Sequence, residues 1–464
     1  MTLDPKDWDA FRASAHMMLD ASIDKLAHAG EGRVWTPLPE AQKADIQNNL
    51  PVKGTNTAEM QKQLESFLPY GVGNTHPRFF GWVHGAGAPS GLLAEIAAAA
   101  MNVNAGGRDH VAPIVERQVI AWSAEMLGLP QETSGLIVSG TSMATIIALK
   151  VARDQAMVGA QGPLVGYTSM QTHSCVAQAF DILGIGRDHL RKIACNAALE
   201  MDTDALQTAI AADKAAGFVP FLIVGTAGAV NMGAIDDLEG LADIAKAEDL
   251  WFHIDGAFGA TAVIGKHARA RLTGLARADS LAFDFHKWLQ VNYEAGCVLI
   301  RDEAAHRGSF SDRPEYLRGS KRGLAGGAFW AVDYGPELSR GFRALKVWAH
   351  LKEHGVEALA AVIDRNIEQA QYLEGLVEAS DRLEMLAPVP LNICCLRYKF
   401  DGDSDAKNEE IVVRLQESGI AVPSTTVIGG QLAIRVNLTN HRTKESDLDI
   451  LVEAVLRIGG ELIS

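Results

Sequence analysis

The sequence is short of cysteine, of aromatic residues and of positive charge. Five cysteines (Cys175, Cys195, Cys297, Cys394, Cys395) stand in 464 residues, an odd number with no CxxC pair. That argues against a disulfide framework and a zinc site, and favours a reducing, cytoplasmic setting. Lys and Arg total 42 against 57 Asp and Glu, a formal net charge of −15, and no basic block stands out. Nucleic acid and anionic membrane surfaces are therefore poor partners. No apolar run approaches the roughly 18–20 residues of a membrane span; the most apolar stretch, 92–101, is interrupted by Glu95. The N-terminal MTLDPKDWDAFRASAHMMLD is acidic and amphipathic and lacks the apolar centre of a signal peptide. Internal repeats and low-complexity tracts are missing as well. What is there, 48% hydrophobic and 21% charged, is ordinary for a globular chain, and the length implies two or three lobes.

Residues 1 to about 75 read as helices separated by turns at Pro37, Pro39, Pro51 and Pro69. From about 115 the pattern alternates. Helices are expected at 115–127, 142–156, 174–183 and 238–248, and short apolar strands at 135–138, 164–168, 221–225, 250–254 and 280–283. Continuous apolar strands between amphipathic helices predict an α/β fold with a mostly parallel central sheet covered on both faces. A long helical stretch starts near Arg340, and smaller strands return at 391–398 and 432–438. The chain is expected to divide into an N-terminal helical arm (1–80), a large α/β domain (81–345) and a small C-terminal α/β domain (346–464).

Ligands of such sheets bind at the carboxyl ends of the strands, and four of those ends carry unusual residues. In 139-SGTSMAT-145, Gly140, Thr141 and Ser142 open a helix with free N–H groups and two hydroxyls, which suits a phosphate, although Ser and Thr also serve there as plain caps. In 171-QTHSCVAQAF-180, His173 precedes a helix, as a capping or core histidine or as an imidazole stacked on a flat ring. In 251-WFHIDGAFGA-260, Asp255 ends an apolar strand; it is either a loop aspartate or the partner of a cation, because an unpaired carboxylate there is costly. In 280-SLAFDFHKWLQVNYEAGCVLIRD-302, Lys287 sits between two apolar segments, and lysine is rarely buried unless it is paired or has a chemical role. A phosphate cradle, an aspartate for a ring nitrogen, a stacking histidine and a desolvated lysine are together what pyridoxal 5'-phosphate requires. The lysine forms a Schiff base and must be deprotonated, which burial favours.

On these motifs, with His76-Pro77-Arg78-Phe79-Phe80, Asp255-Gly256-Ala257 and His286-Lys287-Trp288 as the most specific pieces, the chain from about His76 onward resembles the group II pyridoxal phosphate-dependent amino-acid decarboxylases. These include the aromatic amino-acid, glutamate and cysteine sulfinate enzymes. The resemblance implies a fold-type I enzyme. Lys287 would carry the cofactor and Asp255 would pair with its ring nitrogen. Ala257 and His173 would lie on opposite ring faces, and Gly140, Thr141, Ser142 and His286 would hold the phosphate. It implies a homodimer with the active site at the interface. It also implies a mobile loop whose tyrosine, here Tyr316 in 311-SDRPEYLRGSKRGLAGG-327, protonates the carbanion; the plain alternative is a half-buried aromatic. Arg435 in 432-LAIRVNLTN-440 matches an arginine that can meet a substrate carboxylate, or is a surface strand residue.

Three departures from the family pattern bear on the substrate. Ala229 and Val230 replace a Thr-Thr pair near the cofactor, a loss that Asn231 is expected to make good. Asp284 stands where Asn is common, close to the phosphate. After HPRFF, Gly81 and Trp82 replace an Asn-Gln pair found with acidic substrates, and Phe80 and Trp82 are expected to favour aromatic or bulky apolar side chains unless Trp82 packs into the core or Arg78 or His84 meets an acidic side chain. The expected reaction is α-decarboxylation of an L-amino acid, with no metal ion required. Rival readings are an aldehyde synthase on the same scaffold, a decarboxylase of an acidic amino acid, an aminotransferase or desulfurase, and a non-catalytic binding protein.

Overall fold

A computed structural model of the chain describes residues 2–312, 319–320, 322–327 and 329–463. Among the described residues two sheets organise the molecule. The larger contains β1 (Ser134–Val138), β2 (Leu164–Ser169), β3 (Leu190–Ile193), β4 (Val219–Thr226), β5 (Trp251–Asp255), β6 (Ser280–Asp284) and β7 (Gly296–Ile300), in the order β1-β7-β6-β5-β4-β2-β3. Its pairings are parallel from β6 through β5, β4 and β2 to β3, while β7 runs antiparallel between β1 and β6. Side chains alternate between two buried faces. Leu136 and Val138 of β1 and Val298 and Ile300 of β7 enter one apolar cluster, and Ile137, Cys297 and Leu299 enter the other. Burial on both faces is why these strands read as unbroken apolar runs. The helix Thr141–Met157 covers one face; Val111–Leu127 and the long helix Arg343–Glu378 cover the other.

The smaller sheet contains β8 (Leu383–Met385), β9 (Ile393–Tyr398), β10 (Ser424–Ile428) and β11 (Gln431–Asn437), all antiparallel in the order β10-β11-β9-β8. The sequence reading lacked β3, β8 and β10. Each is short or partly exposed, so none carries the apolar run that marked the central strands. The stretch expected to begin a helix at Arg340 begins it at Arg343. Arg340 is itself deeply buried, with its guanidinium 2.6 Å from Glu116 and donating to the carbonyls of Ala105 and Ile137. Its charge is spent on tying this segment to β1.

The segment 79–87 carries the chain between the two sheets. Phe80 N–H donates to Val422 O at 2.9 Å and Phe80 O accepts from Asn437 N–H at 2.9 Å. Gly85 then lies against the lysine turn, where a Cβ would come within 2.4 Å of the carbonyl oxygens of both His286 and Lys287. Only glycine permits that approach.

Candidate active site

The carboxyl ends of β1, β2, β4, β5 and β6 open on one cavity of about 540 Å³. Its lining includes Ser139–Ser142, His173, Asp255, Ala257, His286 and Lys287, which the sequence reading named one strand end at a time. The fold brings them together because parallel strands deliver all their carboxyl ends to one edge.

The lysine turn is held from several sides. Trp288 is 1% exposed and its indole N–H donates to Asn366 Oδ1 at 3.0 Å. Gln290 accepts from Ala86 N–H at 2.9 Å and donates to Trp288 O at 3.0 Å. His286 Nδ1 accepts from Ala295 N–H at 3.1 Å, and burial holds the imidazole below its ordinary pKa. Lys287, with its side chain 22% exposed, projects from this turn to within 2.8 Å of Asp284 Oδ2.

That contact corrects one expectation. Burial is the largest influence and works to deprotonate Lys287, but the charge and hydrogen bond of Asp284, with Asp255 and Cys175 behind them, together hold the ammonium above the ordinary lysine value. Asp284 also accepts from Thr141 N–H at 2.7 Å, so this helix N-terminus already holds an anion. Asp255 is 3% exposed and accepts from Ala257 N–H at 3.1 Å. Burial pushes its carboxyl up, with Lys287 pulling the other way, and it has no ion-pair partner within 4 Å among the described residues.

The geometry fits pyridoxal phosphate on two counts. Thr141 Oγ1 is buried without a hydrogen-bond partner at the turn expected to hold the phosphate. Asp255 lacks a cation at the position expected to face the ring nitrogen.

Four expectations fare differently. Phe80 does not reach the cavity; it is 1% exposed in the core of the smaller sheet, with Leu396 and Val436. Arg435 is 3% exposed and is spent on the backbone, donating to Trp82 O at 2.8 Å, to Asn231 O at 3.1 Å and to Val230 O. It meets carbonyls in place of a carboxylate. Asn231 does not line the cavity; its Oδ1 accepts from Thr426, and the hydroxyl at that wall is Thr226. Tyr316 lies outside the described residues.

Trp82 lines the mouth, 52% exposed, and takes the left-handed backbone conformation at φ 49°. Two neighbours share this wall: Tyr293, which the sequence reading did not name, and His84, which it named only as a possible partner of an acidic side chain. His84 lies 5.9 Å from Trp82 and 5.7 Å from Tyr293, and Tyr293 lies 4.4 Å from His286, measured between ring centroids. Neither carries a local motif; only the folded contact between segment 79–87 and the lysine turn makes them wall residues.

The pyridoxal-dependent decarboxylase conserved domain matches residues 39–399 of this chain. The chain belongs to the pyridoxal-dependent decarboxylase family. An aromatic-L-amino-acid decarboxylase from Bacillus atrophaeus is 34% identical, across 95% of this chain and 93% of its own length. A phenylacetaldehyde synthase from Arabidopsis thaliana is 28% identical, across 96% of this chain and 94% of its own. Oryza sativa TDC, solved with PLP and tryptamine, superposes with a TM-score of 0.92 at 26% identity, each chain fully covered. This decarboxylase is thus a fold-type I enzyme that uses pyridoxal phosphate, as its strand-end motifs implied, to decarboxylate an amino acid, as the family resemblance implied. Among the described residues no helix is long and apolar enough to cross a membrane.

Proposed function

We propose that the protein decarboxylates aromatic L-amino acids to the corresponding amines, as a homodimer, with Lys287 as the cofactor-bearing residue. The observation that carries the substrate class is the state of the positive charges around the cavity mouth. An acidic side chain buried there would need a cation or a set of donors. Arg435 is committed to backbone carbonyls. Arg78 donates to Ile420 O at 2.8 Å and lies 3.5 Å from Asp447. His84 is held below its ordinary pKa by burial and by the neighbouring His286 and Lys287, which favours the neutral ring. Glu294 adds a further carboxylate to the lining. Trp82, His84 and Tyr293 instead offer ring faces, which stabilise an aromatic guest by about 0.5–1.5 kcal/mol beyond its burial.

When bound, the cofactor supplies the electron sink for the pair left on Cα as carbon dioxide departs. The protein's own groups do the rest. Thr141, Ser142, Gly140 and His286 hold the phosphate end. Asp255 would hold a proton on the facing ring nitrogen, the cation its burial calls for. Ala257 and His173 would lie on opposite faces of the ring, and His173 would help position the substrate. Tyr316 returns a proton to Cα.

Exposed apolar side chains support the dimer: Trp8 (58%) and Met17 (48%) on the first helix, and Leu93 (67%) and Ile114 (66%) on two others. Burying such side chains is what association would gain. Cytoplasmic location rests on the cysteine usage alone.

The test is a panel of phenylalanine, tyrosine, tryptophan, leucine, glutamate, aspartate and cysteine sulfinate, assayed for carbon dioxide, amine, aldehyde and peroxide. Aromatic substrates are expected to give amine in step with carbon dioxide. Tyr316→Phe, which keeps the ring but has no proton to give, is expected to lower amine and raise aldehyde and peroxide. A preference for glutamate, aspartate or cysteine sulfinate would overturn the substrate class, and aldehyde as the wild-type product would overturn the reaction.

A further inference from the structure

One arrangement at the cofactor end of the cavity serves none of these roles. Asp284 closes β6, 2% exposed, and both of its oxygens are engaged: Oδ1 accepts Thr141 N–H at 2.7 Å and Oδ2 lies 2.8 Å from Lys287 Nζ. The backbone leaves room for this carboxylate. Asp284 pairs with Gly296 across β6 and β7, and a Cβ on Gly296 would fall 2.7 Å from Oδ1. His286 Nε2 stands 3.8 Å from Oδ2. The other titratable groups around the pair are Asp255, Cys175, His173, Tyr293, His84 and Glu294. Lys287 is the single Lys or Arg among the described lining residues. One anion therefore occupies both the helix end and the lysine that the cofactor needs.

We propose that Asp284 is a positioning residue that guards cofactor loading: it parks Lys287 as an ammonium and sets a negative charge at the N-terminus of the helix Thr141–Met157, so that phosphate and reactive amine can be delivered only when that charge is neutralised. Loading requires one proton to pass along the existing contact, from Nζ to Oδ2. The lysine regains its lone pair, and the carboxylate becomes a neutral acid that still accepts from Thr141 but no longer opposes a dianion at the same helix end. The free amine then condenses with the cofactor's aldehyde, whose oxygen leaves as water. Protons balance and nothing is oxidised. An asparagine in this place keeps the acceptor for Thr141 and loses both the lock on the lysine and the repulsion.

The test uses the full-length protein stripped of cofactor, as wild type and Asp284→Asn. Three quantities are measured: the affinity and rate of pyridoxal phosphate capture by visible absorbance, the affinity for inorganic phosphate, and the pH midpoint at which Lys287 reacts with a small aldehyde under reducing conditions. The variant is expected to bind cofactor and inorganic phosphate at least about tenfold more tightly (about 1.4 kcal/mol), to capture cofactor faster, and to show a lower lysine midpoint. Weaker binding of either ligand, or an unmoved midpoint, would overturn the proposal and leave Asp284 as a structural cap. Wild type alone also decides: Lys287 is expected to titrate above the ordinary lysine value, and a midpoint below it overturns the proposal even if the variant fails to fold.

Discussion

The floor of the cavity and its mouth are built by different means. The floor is made of strand ends. Asp255, Asp284 and the Ser139–Ser142 turn are each fixed by the strand they terminate, and hydrogen bonds along the same sheet edge hold them, as in Thr141 N–H to Asp284 and Ala257 N–H to Asp255. The mouth is made of side chains from distant parts of the chain. Trp82 holds its left-handed backbone with its carbonyl bonded to Arg435, 353 residues away, and His84 is positioned by rings on either side. The floor is set by topology, which every member of such a fold shares. The mouth is set by contacts that a few substitutions can rewrite, which is where one scaffold acquires different substrates.

The comparison makes its largest claim at Lys287. If the floor carries the chemistry, Lys287→Ala loses turnover for every substrate alike, by at least about a thousandfold, and the borohydride-trapped cofactor adduct disappears. Loss confined to some substrates would place Lys287 with the mouth and break the division at once.

A smaller effect separates two accounts of Arg435. A partner of the substrate carboxylate would, when replaced, raise KM and leave stability unchanged. The observed guanidinium is instead a bracket between β11, the 230–231 turn and Trp82. Burial lowers its pKa to about 10, which still leaves it charged at neutral pH, and that charge is met by carbonyls in place of a carboxylate. Arg435→Met strands those carbonyls, at about 1–3 kcal/mol for each left unmet. We expect a lowered Tm together with a raised KM, and partial recovery of both in Arg435→Lys. A change in KM with an unaltered melting curve would restore the carboxylate role.

The same contrast explains what the sequence could disclose. The strands of the large sheet's interior, the helix Leu238–Glu248 and the four strand-end motifs are local patterns of period and capping, readable one segment at a time. Phe80 misled because its neighbours resemble a substrate stretch, while its own hydrogen bonds to Val422 and Asn437 turn it into the smaller sheet's core. Tyr293 and His84 carry no motif and become wall residues through a contact between segments some 200 positions apart. Asp284 was visible as a departure from the family pattern. Its hold on Lys287 was not, because three residues of spacing say nothing of where two side chains point.

The smallest expected effect tests the mouth itself, through Trp82. Its indole is half exposed at the rim, 6.2 Å from Phe79 and 5.9 Å from His84 between ring centroids. Stacking of a guest ring on such a face contributes about 0.5–1.5 kcal/mol. Trp82→Gln removes that face and adds an amide that can donate to a carboxylate, so the two changes act in the same direction on selectivity. The ratio of kcat/KM for tyrosine, tryptophan and phenylalanine over that for glutamate and aspartate is expected to fall between about twofold and tenfold. Lys287 chemistry is untouched, so kcat for the best substrate should change little. A fall much larger than tenfold would mean that the backbone at φ 49° has shifted and carried His84 with it, which a matching loss in Trp82→Phe excludes or reveals, since phenylalanine keeps a ring but changes its reach. An unchanged ratio would leave aromatic preference to His84 and Tyr293 alone. The mouth would then be narrower than Trp82 makes it look, with selectivity decided next to the cofactor floor.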